Sequence, residues 1–468
     1  MADLNEMLVA WTGEIDSFMY TYILVILLVF VGIYYTIRTK AVQIRYIKDM
    51  FTQLTEKKHV QGEKSISSFQ ALMVSTASRV GTGNIAGIAT AVATGGPGAI
   101  FWMWLMALIG AASAFIESTL AQIYKIRGKE GEFRGGPAYY IQQGLGKRWL
   151  GIIFAWALIL CFAFGFNGLQ AFNMTSALEY YIPDYATNGT AVGVGIVLIV
   201  FTAFVIFGGA KRISIITSII VPIMAIAYIL IALWTTIANI GELPAVFGTI
   251  FQSAFNFQSI AGGFAGSVVM LGIKRGLFSN EAGMGSTPHA HALANVKNPH
   301  EQGTVAIIGV FIDMFVILTL NALVIISTLY AGNGPLSGRG AAALSSTFNK
   351  TNLAQCAFGT VFGYKAGSMF VAVCLFFFAF STILSWNLFG KINMTYLFGE
   401  RSNGAYTCLA LIFIFLGTTM SNDLVWELSD MFNQLMVIPN AIALLALTSH
   451  VVRHSHTPDR LSDRKGGK

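Results

Sequence analysis

Charge is scarce in this 468-residue chain: Asp, Glu, Lys and Arg make up 11% of it, against about a quarter of a soluble domain. So few charges cannot coat a water-facing globule of this length, which excludes an ordinary soluble protein. Cysteine is scarcer still, at four. Three of the set Cys161, Cys356, Cys374 and Cys408 fall in or beside apolar runs, without metal-like spacing, which favours packing over redox or metal chemistry. Met1–Ser17 holds Asp3, Glu6, Glu14 and Asp16 but no Lys or Arg. A cleaved signal peptide opens on basic residues, so the first apolar run is expected to stay as a helix. No Ser, His and Asp cluster at a shared depth, and no metal-ligand set does, which speaks against an enzyme. The net charge of +7 is not a nucleic-acid patch, because the basic residues fall on alternate loops.

What the chain has in abundance is hydrophobic residues, at 55%, in runs of about 20, the length that spans a bilayer. The reading is an all-α membrane protein of about eleven crossings, near 19–37, 66–93, 98–124, 149–180, 190–210, 213–239, 262–295, 303–331, 366–390, 404–420 and 425–450. A short amphipathic stretch, Val42–Leu54, is expected on the inner surface. Lys and Arg crowd the loops after spans one, three, five, seven and nine and the C-terminal tail, whereas the opposite loops hold only Arg339, Lys350 and Lys365. The positive-inside rule then puts the N-terminus outside and the C-terminus in the cytoplasm of a cell-membrane protein. Ala331–Lys365 becomes a long outer loop.

Two spans carry interruptions. Span two breaks at Ser78-Arg79-Val80-Gly81-Thr82-Gly83-Asn84, and span seven between Gly272 and Gly285. Bare backbone costs several kcal/mol in hydrocarbon, so a mid-depth break survives only where protein, ion or substrate satisfies it. The two broken spans lie five apart, an odd number, so they cross the bilayer in opposite directions. This divides the chain into an outer N-terminus (1–18), a peripheral first helix with its inner segment (19–65), a five-helix repeat (66–239), an outer connection (240–261), an inverted repeat (262–450) and a basic tail (451–468). Paired interrupted segments in inverted halves point to a transporter site.

At the first break the outer half-helix presents free N–H groups and a positive dipole end, which suit a carboxylate. Gly81 and Gly83 allow close approach. The inner half ends in carbonyls of Ala77 and Val80, which suit a hard cation such as Na⁺, with Asn84 a donor for a second ion. Gly83-xxx-Gly87 is also a helix-packing pattern. At the second break, carbonyls from Gly276 to Ser279 are expected to accept from an ammonium, with Phe278 closing one side. Glu281 reads equally as a cap, a partner of Lys274 or Arg275, or a coupling group. Ser381, Thr382 and Ser385 share a face of span nine, able to complete a cation shell or to bond back to their own helix. Phe166, Gln170 and Asn173 line one face of span four. The intramembrane charges Arg79, Glu117 and Asp313 call for partners, and Arg79 with Glu117 or Asp313 is a candidate pair. His289 and His291 read as surface side chains near the inner end. Gly135–Ile141 starts like an inner-loop helix with Pro137 in its first turn.

Gly95-Gly96-Pro97-Gly98-Ala99-Ile100-Phe101-Trp102-Met103-Trp104-Leu105, running on to Gly110, resembles the signature of the alanine or glycine:cation symporter family, also called the sodium:alanine symporter family. Ser75-Thr76-Ala77 through Gly87, and Arg275 to Gly283 with Pro288-His289-Ala290-His291-Ala292, resemble its two other hallmark stretches. The resemblance runs from about Tyr20 to Val452. It implies the fold of the neurotransmitter:sodium symporters with one extra N-terminal helix, and Na⁺-coupled uptake of alanine, glycine or glutamine, with H⁺ coupling through Glu281, Glu117 or Asp313 as the alternative. By that likeness Ala77 and Val80 carbonyls with Ser381 and Thr382 hydroxyls hold one Na⁺, and Asn84 lies at the other ion position. Thr82, Gly83 and Asn84 meet the substrate with Ser279, and Phe166, Gln170, Phe278 and Trp386 shape the pocket. Arg79, inside the break, departs from the neurotransmitter-symporter pattern.

Overall fold

The computed structural model describes residues 2–47, 66–128, 132–255, 267–337, 352–420 and 422–455. It is helical apart from a two-stranded antiparallel hairpin, β1 (Ile126–Arg127) and β2 (Phe133–Arg134), among the described residues. Helix α1 is continuous over 2–38, with a π turn at Tyr20–Leu24. It therefore starts well before the apolar run at 19–37, and the acidic N-terminal residues lie on it. The short α2 (Val42–Arg45) follows; the rest of the expected amphipathic stretch, 48–54, lies outside the described residues.

Span two is α3 (Ser68–Arg79), a 3-10 turn (Thr82–Asn84) and α4 (Ala86–Gly95). Ser67 starts it through a capping box: its hydroxyl accepts the Gln70 N–H at 3.2 Å and Gln70 Oε1 accepts the Ser67 N–H at 3.0 Å. There follow α5 (Ala99–Ile123), α6 (Pro137–Leu145), α7 (Arg148–Ser176), α8 (Thr190–Ile206), α9 (Gly209–Ala238) and the short outer α10 (Leu243–Ala254). Pro137 sits at the start of α6, as its sequence implies.

Span seven is α11 (Val268–Asn280) and α12 (Pro288–Ala292), with the non-helical stretch 281–287 between them. Ser267 caps α11 as Ser67 caps α3. The expected break is therefore displaced: Gly276–Ser279 is helical, and the chain leaves the helix at Glu281, which takes a left-handed conformation (φ 53°). Then come α13 (Pro299–Tyr330), α14 (Leu353–Phe362), α15 (Tyr364–Phe398), α16 (Asn403–Gly417) and α17 (Asn422–Ser455). Of the basic tail, 456–468 lies outside the described residues, as do 256–261 of the outer connection, 262–266 of span seven and 338–351 of the long loop.

Among the described residues, seven helices are long and apolar enough to cross a membrane by themselves. The two broken spans, α8 and α16 complete two five-helix sets, 68–238 and 268–455. Helix α5 packs on both α13 and α11, α3 on α9 and α15, and α1 lies outside against α17 and α5. Two spans depart from regular α geometry where polar side chains gather. Helix α7 has a π turn at Cys161–Phe166, and α13 has one at Ile312–Leu318 around Asp313. Such turns re-aim the side chains that follow and recur at functional sites.

Candidate functional site between the two broken spans

The first break begins with a diverted hydrogen bond. Gly81 N–H, which in a continued helix would donate to Ala77, donates to Arg79 O at 2.9 Å. The released Ala77 carbonyl accepts instead from Thr382 Oγ1 of α15 at 2.7 Å. Carbonyl and hydroxyl oxygens are the ligands hard cations take, so this pair fits Na⁺. Val80 stands beside it, fully buried, as the residue that ends α3. Ser381 does less: its hydroxyl bonds Phe378 O of its own helix at 3.0 Å and contacts Met224 Sδ at 3.7 Å.

On the other side of the break, Thr82 N–H donates to Gln170 Oε1 at 3.1 Å, and Asn173 Nδ2 donates to Thr82 Oγ1 at 2.8 Å. An amide oxygen thus rests on a backbone donor that a carboxylate would also use. Gln170 Nε2 and Ser385 Oγ are buried without a hydrogen-bond partner among the described residues. Such orphan groups in a dry interior fit a site that expects a polar occupant. Phe278 closes the opposite wall: a Cβ on Gly83 would lie 2.7 Å from its ring. Phe166 meets Phe278 edge to face at 5.0 Å and lies 4.6 Å from the Trp386 ring.

A second oxygen cluster lies at Asn84. Its Nδ2 donates to Asp313 Oδ1 at 2.6 Å, and Ser279 Oγ lies 2.8 Å from Asn84 Oδ1 and 3.0 Å from Asp313 Oδ2. Asn321 Nδ2 donates to the Asn84 carbonyl at 2.7 Å. The structure therefore brings Ala77, Thr82, Gly83, Asn84, Phe166, Gln170, Phe278, Ser279, Thr382 and Trp386 to one buried centre.

The charged groups find other partners than expected. Among the described residues Arg79 makes no ion pair with Glu117 or Asp313; its Nε donates to Asn280 O and its Nη2 to Thr287 Oγ1. Glu117 accepts from Gly283 N–H and Asn440 Nδ2, both at 3.1 Å, and so props the second break. Glu281 accepts from Ser78 at 2.9 Å, Ser286 at 2.6 Å and Trp386 Nε1 at 2.8 Å. It is not the partner of Lys274 or Arg275. Lys274 pairs with Asp16 and Asp430, and Arg275 with Asp430. His289 and His291 are fully buried rather than on the surface. His289 packs against Asn393 Nδ2 at 2.8 Å through Nε2, and His291 Nδ1 meets Gln302 at 3.0 Å. Sequence reasoning missed Asn280, Thr287, Asn321 and Asn440. The available signal was that Asn within an apolar run must find a buried partner.

A family model described as the sodium:alanine symporter family matches residues 5–464. The amino-acid carrier protein AlsT of Bacillus subtilis is 41% identical over 453 residues, covering 97% of this chain and 92% of that protein. The sodium/alanine symporter AgcS of Methanococcus maripaludis is 39% identical, covering 95% and 96%. The probable sodium/glutamine symporter GlnT of Bacillus subtilis is 40% identical, covering 99% and 93%. Among solved structures, MhsT in complex with L-phenylalanine superposes with a TM-score of 0.61 at 16% identity, covering 86% of this chain and 95% of that one; this likeness concerns the fold.

Proposed function

The chain belongs to the sodium:alanine symporter family, and from that premise we propose that it moves a small neutral amino acid into the cell together with Na⁺ by alternating access. The observation that carries the reading is the Ala77 carbonyl, freed from its helix and held 2.7 Å from Thr382 Oγ1, on the helix end that leads into Thr82 and Gly83. Na⁺ drawn between these oxygens ties α15 to α3. The substrate carboxylate takes the Thr82 N–H from Gln170 Oε1, and the ring of Phe278 closes tightly over Gly83, a near wall that favours a short side chain, alanine or glycine, over glutamine. Asn84, Ser279 and Asp313 form a second set of oxygens beside the carboxylate position. Differential affinity for Na⁺ between outward- and inward-open states supplies the coupling. The positive-inside rule supports a cytoplasmic position for the face bearing Arg134, Arg148, Lys211 and Arg401.

Uptake of radiolabelled alanine, glycine and glutamine into proteoliposomes, under separate Na⁺ and H⁺ gradients, tests this. Alanine or glycine accumulation with the Na⁺ gradient alone is expected. Accumulation that ignores Na⁺ and follows the pH gradient would transfer the coupling to a carboxyl such as Asp313.

A further inference from the structure

On the basic face, apart from the two breaks, a cavity of about 760 Å³ opens between α6, the first turn of α7, the end of α15 and the turn 399–401. Its charged lining is Arg134, Arg148 and Arg401 against one carboxylate, Glu400; with Glu132, which pairs with Arg134, three positive charges meet two negative and leave one in excess. Glu400 is already engaged: it accepts from Arg134 Nη2 at 2.8 Å, and Arg134 also pairs with Glu132. Arg148 and Arg401 are exposed and have no ion-pair partner among the described residues.

The apolar surroundings say which anion fits. Trp149 and Trp156 on α7 and Phe398 at the cavity rim are 61%, 44% and 57% exposed. Trp156 and Phe398 meet edge to face at 5.8 Å. On membrane-spanning helices such rings face lipid at the interface. The cavity therefore adjoins the boundary where headgroups lie.

We propose that this cavity is a binding site for an anionic phospholipid of the inner leaflet. Its phosphate lies between Arg148 and Arg401 and its acyl chains run along Trp149, Trp156 and Phe398. A zwitterionic headgroup would leave the excess positive charge uncompensated, and a free phosphate would make no use of the aromatic rim. An occupant also has a mechanical consequence. Tyr139 of α6 donates to Ile392 O of α15 at 3.3 Å and meets the Tyr396 ring at 5.2 Å, so a lipid in the cavity extends an existing bridge between the inner-loop helix and α15, which carries Thr382.

The test is native mass spectrometry of the full chain in neutral detergent, titrated with phosphatidylglycerol or phosphatidylcholine, with size-exclusion elution as the check on folding. The wild type is expected to retain phosphatidylglycerol severalfold over phosphatidylcholine. Arg148→Gln and Arg401→Gln should each weaken retention about fivefold, and the double variant roughly thirtyfold, as two interfacial basic contacts imply. The Arg148→Lys/Arg401→Lys pair, which keeps both charges, should retain most of the binding, and Lys297→Gln, outside the cavity, all of it. Should the double Gln variant elute abnormally, the two single variants carry the test. Equal retention of the two lipids, or undiminished retention by the Gln variants, would overturn the site. Displacement of phosphatidylglycerol by millimolar inorganic phosphate would show a phosphate site and overturn the lipid assignment.

Discussion

Arg79 joins the two lips of the second break. Its Nε donates to the carbonyl of Asn280, the last residue of α11, at 2.8 Å, and its Nη2 to Thr287 Oγ1, the residue before α12, at 3.0 Å. One guanidinium of the first broken span thus holds the ends of the other apart at a fixed distance. Planarity is what permits this, since a forked donor reaches two fixed acceptors at once.

Arg79→Lys keeps the charge and loses the fork. A single ammonium cannot hold both lips, and one buried acceptor is left unpaired at a cost of about 1–3 kcal/mol. Uptake in proteoliposomes is expected to fall at least tenfold, together with a lower melting temperature in detergent. Wild-type uptake by this variant would show that charge alone suffices and that the geometry of the bridge is incidental.

The first break could be read from residues because its cause is local. Gly81 and Gly83 flank Thr82, and no regular helix former intervenes between Arg79 and Asn84. The second break lies later than its glycines suggest, because Gly272 looks like a breaker yet serves close packing, a Cβ there lying 2.5 Å from Trp102 Cβ, and Gly276 stays within the helix. The chain actually leaves the helix at Glu281, whose carboxylate is held by Ser78, Ser286 and Trp386. Those are contacts across three spans, and no local pattern encodes them. The same limit applies to Asp16, whose partner Lys274 lies 258 residues away.

Thr382→Val and Ser381→Ala separate two neighbours that share the expected Na⁺ role. Thr382 faces the Ala77 carbonyl, whereas Ser381 bonds its own helix. The valine substitution is expected to raise the half-saturating Na⁺ concentration about tenfold, equivalent to one lost oxygen ligand of about 1.4 kcal/mol. Ser381→Ala should shift it less than twofold. Sodium titrations of alanine uptake decide the matter, and the opposite order of effects would reassign the ligand.

Gly83→Ala probes the closeness of the pocket wall. The added methyl would lie 2.7 Å from the Phe278 ring, and overpacking of this kind costs about 1–3 kcal/mol. Uptake should drop by an order of magnitude or more, and Phe278→Leu in the same chain should recover part of it by making room. If the second substitution brings no recovery, Gly83 is required for its backbone rather than for its contact with Phe278.

Four further buried charges pair with one another, and they are not equivalent. Asp16 of α1 and Asp430 of α17 stand against Lys274 and Arg275 of α11. Lys274 pairs with both carboxylates, and the Arg275 guanidinium lies 4.1 Å from the Trp426 ring centroid. The Asp430 side chain is 0% exposed and that of Asp16 is 4% exposed, so neither can be left to water. Lys274→Met removes the shared cation and leaves two carboxylates facing one arginine, a loss for which breaking a buried pair predicts about 3–5 kcal/mol. The expected result is a markedly lower melting temperature by fluorescence-detected size exclusion, with poor recovery of folded protein. Adding Asp16→Asn restores the balance of one carboxylate to one guanidinium, and because well-packed neutral replacements of buried pairs are often tolerated, the double variant should melt closer to the wild type than Lys274→Met does. If the single and double variants melt alike, Asp16 does not answer Lys274 energetically, and its contact with Gln434 of α17 is the polar tie that remains.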